Sequence, residues 1–305
     1  MKKLSEKYEK RFTNIEILRI IAMLLIVMSH YAKYSGIDWE TVDINASKIF
    51  INTFFNFGKL GVSLFVIISG YFYDRNKINI HKIVNLILQV FIFSILGLLI
   101  GIVIGDSNLN IKNIIKAIMP TTFGLYWFAT CYILIYLFSP FIKIIIDKFS
   151  KKDLKLMITL MVLVWSFITM IPGSKTFYNE FIWLVVIYII GAYMKKYNIN
   201  ILNNNKSRLI VTILIIAFLS IFMVAIELMS TKILILKNFT NYFNNMQSPF
   251  ILILTILIFN MFTNIRIKNN KYINAIASST FGIYLIHENK FLREFIWIDM
   301  VQASK

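Results

Sequence analysis

The sequence predicts an all-α, polytopic integral membrane helical bundle of about nine to ten transmembrane helices, and three observations carry that reading. Of 305 residues, 58% are hydrophobic and 15% are charged, whereas soluble domains run at about 45–50% apolar and about 25% charged. Mean hydropathy is +0.71. Apolar stretches of spanning length alternate with short charged or asparagine-rich breaks, the pattern a chain needs when its backbone must satisfy its own hydrogen bonds in lipid. Residues 1–305 read as a single membrane domain, with no Pro-rich or Gly/Ser linker between parts.

The candidate helices lie near 15–34, 49–73, 83–105, 121–142, 156–171, 180–194, 209–229, 248–264 and 272–287. The first follows a charged leader and has no small-residue cleavage pattern after it, so no removable targeting segment is expected. The second contains Gly58 and Gly61, where an interfacial helix over 47–57 could bend into a shorter span. The last is followed by a tail, FLREFIWIDMVQASK, that starts amphipathic and stops. Together with the odd helix count, it raises the expectation of a truncated final helix.

Basic residues set the orientation. Most of the 32 lysines and arginines fall in the leader and in the loops around 75–82, 143–155, 195–208 and 266–271. This bias places the N-terminus in the cytoplasm of a multi-pass membrane protein. It also explains the net charge of +17 as lysines stacked against anionic lipid, rather than as a nucleic-acid surface. The single cysteine, Cys131, excludes an internal disulfide and reads as core packing. No ligand spacing calls for a metal, and there is no glycine-rich phosphate loop or nucleophile elbow. The abundance of Ile, Lys and Asn has the look of an AT-rich bacterial genome.

Candidate chemistry centres on the first helix. Arg19 and His30 are separated by ten uncharged residues, IIAMLLIVMS. Eleven steps of 100° fall within ~20° of three full turns, so both side chains project from one face, ~16 Å apart along the axis. Ionisable groups inside a span face protein or a wet cavity; the plainer alternative is an arginine and a histidine snorkelling to opposite interfaces. With the N-terminus inside, Glu16, Arg19, Ser69, Tyr71 and Arg75 form a cytoplasmic layer. His30, Tyr126, Trp127, Tyr284 and His287 form an outer one. Each has a structural alternative: Glu16 and Arg19 as a surface i, i+3 pair, Trp127 as part of an interfacial belt, His287 as a hydrated helix end.

These residues resemble the signature of the membrane acyltransferase-3 family, whose members have a ten-helix core. The opening Glu16-Ile17-Leu18-Arg19, the gap and His30 carry the first block. Gly61-Val62-Ser63-Leu64-Phe65 through Ser69-Gly70-Tyr71-Phe72 is similar to the second-helix pattern. Tyr126-Trp127-Phe128 with Tyr132 and Ser139-Pro140-Phe141, and Phe281-Gly282-Ile283-Tyr284-Leu285-Ile286-His287, are similar to the later blocks. Two departures stand out. Asp74-Arg75-Asn76-Lys77 and His81-Lys82 replace an Arg-rich stretch after the second helix, and Cys131-Tyr132 stands where many members carry an acid.

The resemblance implies an O-acetyltransferase of the bacterial cytoplasmic membrane. It would move an acetyl group from cytoplasmic acetyl-CoA, the donor rather than a permanently bound cofactor, to a hydroxyl of a capsular or other cell-surface polysaccharide or its lipid-linked precursor. On that reading Arg19, with Glu16, Ser69, Tyr71 and Arg75 around it, holds the donor, because guanidinium matches phosphate. His30 is the catalytic base or an acyl relay, and Trp127, Tyr284 and His287 meet the sugar. The rival is a transporter or scaffold that passes glycan or acyl donor without chemistry of its own, where intramembrane Arg and His are equally expected. Inverted repeats, the sign of many transporters, are not evident.

Overall fold

The computed structural model describes residues 12–37, 42, 45–73, 78–174 and 178–301. Among these residues there are helices and turns and no strands. Helix α1 spans Thr13–Tyr34, α2 Ala46–Asn56, α3 Gly58–Tyr71, α4 Ile80–Ile104, α5 Ile111–Ile118 and α6 Trp127–Lys148. Helix α7, Lys151–Val162, runs on through a π turn and a 3-10 turn to Met170. The chain continues with α8 Glu180–Tyr197, α9 Asn205–Ser230, α10 Pro249–Thr263, α11 Lys271–Ser278 and α12 Thr280–His287, and a π turn at Phe295–Met300. All nine expected segments contain helix, and seven stretches among the described residues are long and apolar enough to cross a membrane. The molecule is therefore an all-α polytopic membrane bundle.

The short asparagine-rich breaks are start signals. Asn79, Asn110, Asn179, Asn204 and Asn270 each cap a helix by accepting from a backbone N–H in its first turn, satisfying donors that the helix itself leaves orphaned. Ser150 and Ser248 cap α7 and α10 in the same way.

Helix α3 is the central post. Leu64, Val66, Ile67 and Ile68 are fully buried, and α3 packs against α1, α8 and α10. Its close approach to α8 depends on missing side chains. A Cβ on Gly70 would strike the Tyr188 carbonyl, and one on Gly191 would strike the Ile67 carbonyl. Small residues at a crossing let membrane helices gain dispersion contact where lipid supplies no hydrophobic drive. By contrast, α4 and α9 have hydropathies of 2.8 and 3.1 but are only 28% and 17% buried. Apolar faces left open this way, Leu99, Val103, Leu214 and Ile221 among them, are lipid-facing surfaces.

One break follows the sequence reading and two boundaries differ from it. The second span is broken at Phe57, between α2 and α3, which is the bend that Gly58 suggested. The ninth is broken at Ser279. The expected helix 121–142 starts instead at Trp127, because residues 120–126 form turns, with Gly124 at φ +60° and Leu125 N–H bonded to the Pro120 carbonyl. Hydropathy alone cannot see that start. Pro140 inside α6 frees the Tyr136 carbonyl four residues back, and the Ser139 hydroxyl donates to it at 2.8 Å. The start of α1 is tied to the far end of the chain. Asn14 donates to the Phe262 carbonyl at 2.7 Å, and the Asn270 N–H donates to the Thr13 hydroxyl at 3.0 Å.

Candidate active site

Two cavities flank α1 and share a wall. The larger, about 570 Å³, is lined by His30 together with Trp127, Tyr284 and Glu288. The smaller, about 300 Å³, is lined by Arg19, Ser69, Lys82, Gln89 and Tyr132. Phe128 and Tyr284 line both, with their rings edge to face at 5.6 Å. Because α1 is helical from Thr13 to Tyr34, Arg19 and His30 keep their ~16 Å axial separation. They open into neighbouring chambers divided by two aromatic side chains.

Arg19 is held in place by Glu16, Nη1 to Oε1 at 2.9 Å, with the Glu16 side chain buried and the Arg19 side chain 31% exposed. Glu16 thus braces Arg19 and does not itself line the cavity. Ser69 lines the same chamber, donates to the Phe65 carbonyl at 3.0 Å and lies 3.3 Å from the Tyr132 hydroxyl, within hydrogen-bond reach. Tyr71 does not join them. Two residues past Ser69 is ~200° around the helix, and its ring lies against Phe259 at 5.0 Å, under the Lys195 ammonium. Arg75 lies outside the described residues. Lys82 and Gln89, from α4, complete the polar side of the chamber.

In the larger chamber His30 Nδ1 lies 3.0 Å from Glu288 Oε2, at ion-pair distance but without the alignment of a full hydrogen bond. Glu288 Oε1 takes Nη2 of Arg293 at 3.0 Å. With Nδ1 turned to the carboxylate, Nε2 of His30 is the nitrogen left to accept a proton. The His287 ring stands 5.0 Å from that of His30. Its Nδ1 lies 2.6 Å from the Ile283 carbonyl, which can only accept, so Nδ1 carries the proton and Nε2 the lone pair. The turn that delivers these residues is built by Asn289, whose amide donates to the Phe93 carbonyl at 2.9 Å and whose side-chain oxygen accepts from Phe291 N–H. Trp297 Nε1–H closes over it on the His287 carbonyl at 3.1 Å. Burial pushes the Glu288 carboxyl above the usual carboxylate range, and Arg293 is the main opposing influence.

The sequence reading placed His30, His287, Tyr284 and Trp127 in one outer layer; His30, Tyr284 and Trp127 line the chamber, His287 is buried beside His30 without lining it, and Glu288, Lys33 and Arg293 were missed. One signal was legible: an acid directly after His287 at the end of an apolar run, a position expensive to occupy without a partner. No group of three His, Cys, Asp or Glu side chains converges among the described residues.

A family model described as an acyltransferase domain matches residues 12–302. No curated protein and no solved structure matches the chain.

Proposed function

The chain belongs to the acyltransferase-3 family, and on that premise we propose that it is a membrane O-acetyltransferase. It carries acetyl from cytoplasmic acetyl-CoA to a hydroxyl of a cell-surface polysaccharide or its lipid-linked precursor. The protein sits in the bacterial cytoplasmic membrane with its N-terminus inside. The observation that carries this reading is the His30–Glu288 pair, open to a chamber that meets the Arg19 chamber across Phe128 and Tyr284.

In this reading Arg19, with Lys82 beside it, binds phosphates of coenzyme A, and the thin pantetheine arm passes the aromatic wall toward His30. The acceptor hydroxyl oxygen attacks the thioester carbonyl carbon while Nε2 of His30 takes its proton. The carbon–sulfur bond then breaks, and the imidazolium returns the proton to the departing thiolate. Glu288 orients the ring and steadies its charge. Trp127 and Tyr284 offer aromatic faces to the sugar.

The test is transfer of label from radiolabelled acetyl-CoA to extracted surface polymer by the purified protein. His30→Ala is expected to abolish labelling while leaving membrane insertion intact. Full transfer by that variant overturns the mechanism, and no transfer by intact wild-type protein favours the transporter or scaffold reading.

A further inference from the structure

The charge of the larger chamber is lopsided. Lys33, Lys59, Lys290 and Arg293 line it against one described carboxylate, Glu288, and all four act on Glu288 electrostatically. That carboxylate is already shared between His30 and Arg293. Among the described residues, Lys33, Lys59 and Lys290 have no carboxylate at ion-pair distance. Two of them rest on rings instead: Lys59 over Trp127 at 5.1 Å and Lys33 over Tyr34 at 5.0 Å. Arg293 lies over the same Tyr34 ring, 4.1 Å from its centroid. Cations parked on aromatic faces are held in position at little cost.

A second observation bears on the same chamber. Asn241, Asn244 and Asn245 line it, and the side-chain oxygen of Asn244 is buried without a hydrogen-bond partner. The amide groups lining this side of the chamber can donate to and accept from hydroxyls. The chamber therefore combines an aromatic platform, amides suited to hydroxyls and a surplus of fixed positive charge.

We propose that the acceptor is an acidic sugar, one carrying a carboxylate or a phosphate, and that Lys33, Lys59 and Arg293 select it by that charge. The proposal rests on the reading of the His30 chamber as the acceptor site. The positive field concentrates an anionic glycan at the mouth. Arg293 and the lysines then pair with its charged group, while the sugar ring lies near Trp127 and its hydroxyls reach the asparagines. A neutral sugar of the same size leaves the cations uncompensated and loses that discrimination.

The experiment measures equilibrium binding to the full-length protein in nanodiscs, so it does not depend on turnover. The probes are a tetrasaccharide of alternating glucuronic acid and N-acetylglucosamine, its carboxyl-reduced neutral counterpart, and glucose 1-phosphate against glucose. One or both anionic probes are expected to bind about tenfold or more tightly than their neutral partners. Which probe responds tells carboxylate from phosphate. Lys59→Gln and Arg293→Gln each weaken the responding probe by about tenfold, and Lys155→Gln, which does not line the chamber, leaves it unchanged. Equal binding of acidic and neutral sugars, binding of neither, or no effect of Lys59→Gln overturns the proposal. So does competitive displacement of the sugar by coenzyme A alone, which assigns these cations to the donor. His30→Ala is expected to keep this binding while losing transfer; binding by a wild-type protein that shows no transferase activity leaves the acidic-ligand site standing and removes the enzymatic reading.

Discussion

At the scale of single side chains, pairing His30 with Glu288 fixes which imidazole nitrogen is free to act. The neutral analogue Glu288→Gln keeps the shape but cannot stabilise the imidazolium that forms. Its turnover is expected to fall by about 10²-fold or more, with acceptor KM little changed. Stability moves the other way. A carboxyl raised by burial favours its protonated form in the fold, so its contribution is complete below the ordinary glutamate range and is lost as pH rises through the raised value. At neutral pH an ionised Glu288 therefore costs stability, and Glu288→Gln is expected to unfold at a higher temperature than the parent. Lower turnover with unchanged or lower Tm contradicts the assignment. The same direction governs the pH profile. Turnover should fall on the acid side at a pH above the ordinary glutamate range. The limb should move higher still in Arg293→Gln, because Arg293 opposes the rise.

At the scale of elements, the site depends on where helices cross and where they start. Helix α3 reaches α8 only because Gly70 and Gly191 carry no side chain at the contact. Gly70→Val should force the helices apart at a cost of about 1–3 kcal/mol, seen as a lower Tm in detergent and a fall in monodisperse protein. Gly282 faces open space, so Gly282→Ala is expected to leave both unchanged. Equal tolerance at the two positions would mean that the crossing is not what holds the core. Boundaries in this chain were readable to the extent that hydropathy marks them. Helices α1, α4 and α9 stand close to their expected limits. The start of α6 was not readable, since a spanning-length hydropathy window averages the turns at 120–126, with Gly124 at positive φ, into the more apolar helix that follows.

Across the whole molecule, the proposed transfer depends on two chambers that stand apart and yet adjacent. Among the described residues, Phe128 and Tyr284 alone line both. Phe128→Ala should join them and admit water to the thioester. The expected signature is faster release of free coenzyme A thiol in the absence of acceptor, together with slower transfer to polymer. A parallel fall in both rates would instead mark Phe128 as a packing residue alone. The charge distribution follows the same division: Arg19, braced by Glu16, and Lys82 on one side of the wall, and Lys33, Lys59, Lys290 and Arg293 on the other.

The sequence by itself determined the membrane class, the succession of helices, and the register of Arg19 and His30 on one face of α1. These follow from local rules: the length of apolar runs, the 100° step of a helix, the capping chemistry of asparagine. The ordered motif blocks that run through most of the chain were equally visible. Only the tertiary structure decided that Glu288 meets His30, that Tyr71 turns away from Ser69's chamber, and that cations from α1, α3 and the segment after α12 face one space. Such contacts join residues from distant parts of the chain. They are set by which helices cross and at what height, a property of packing that no periodicity along the chain encodes.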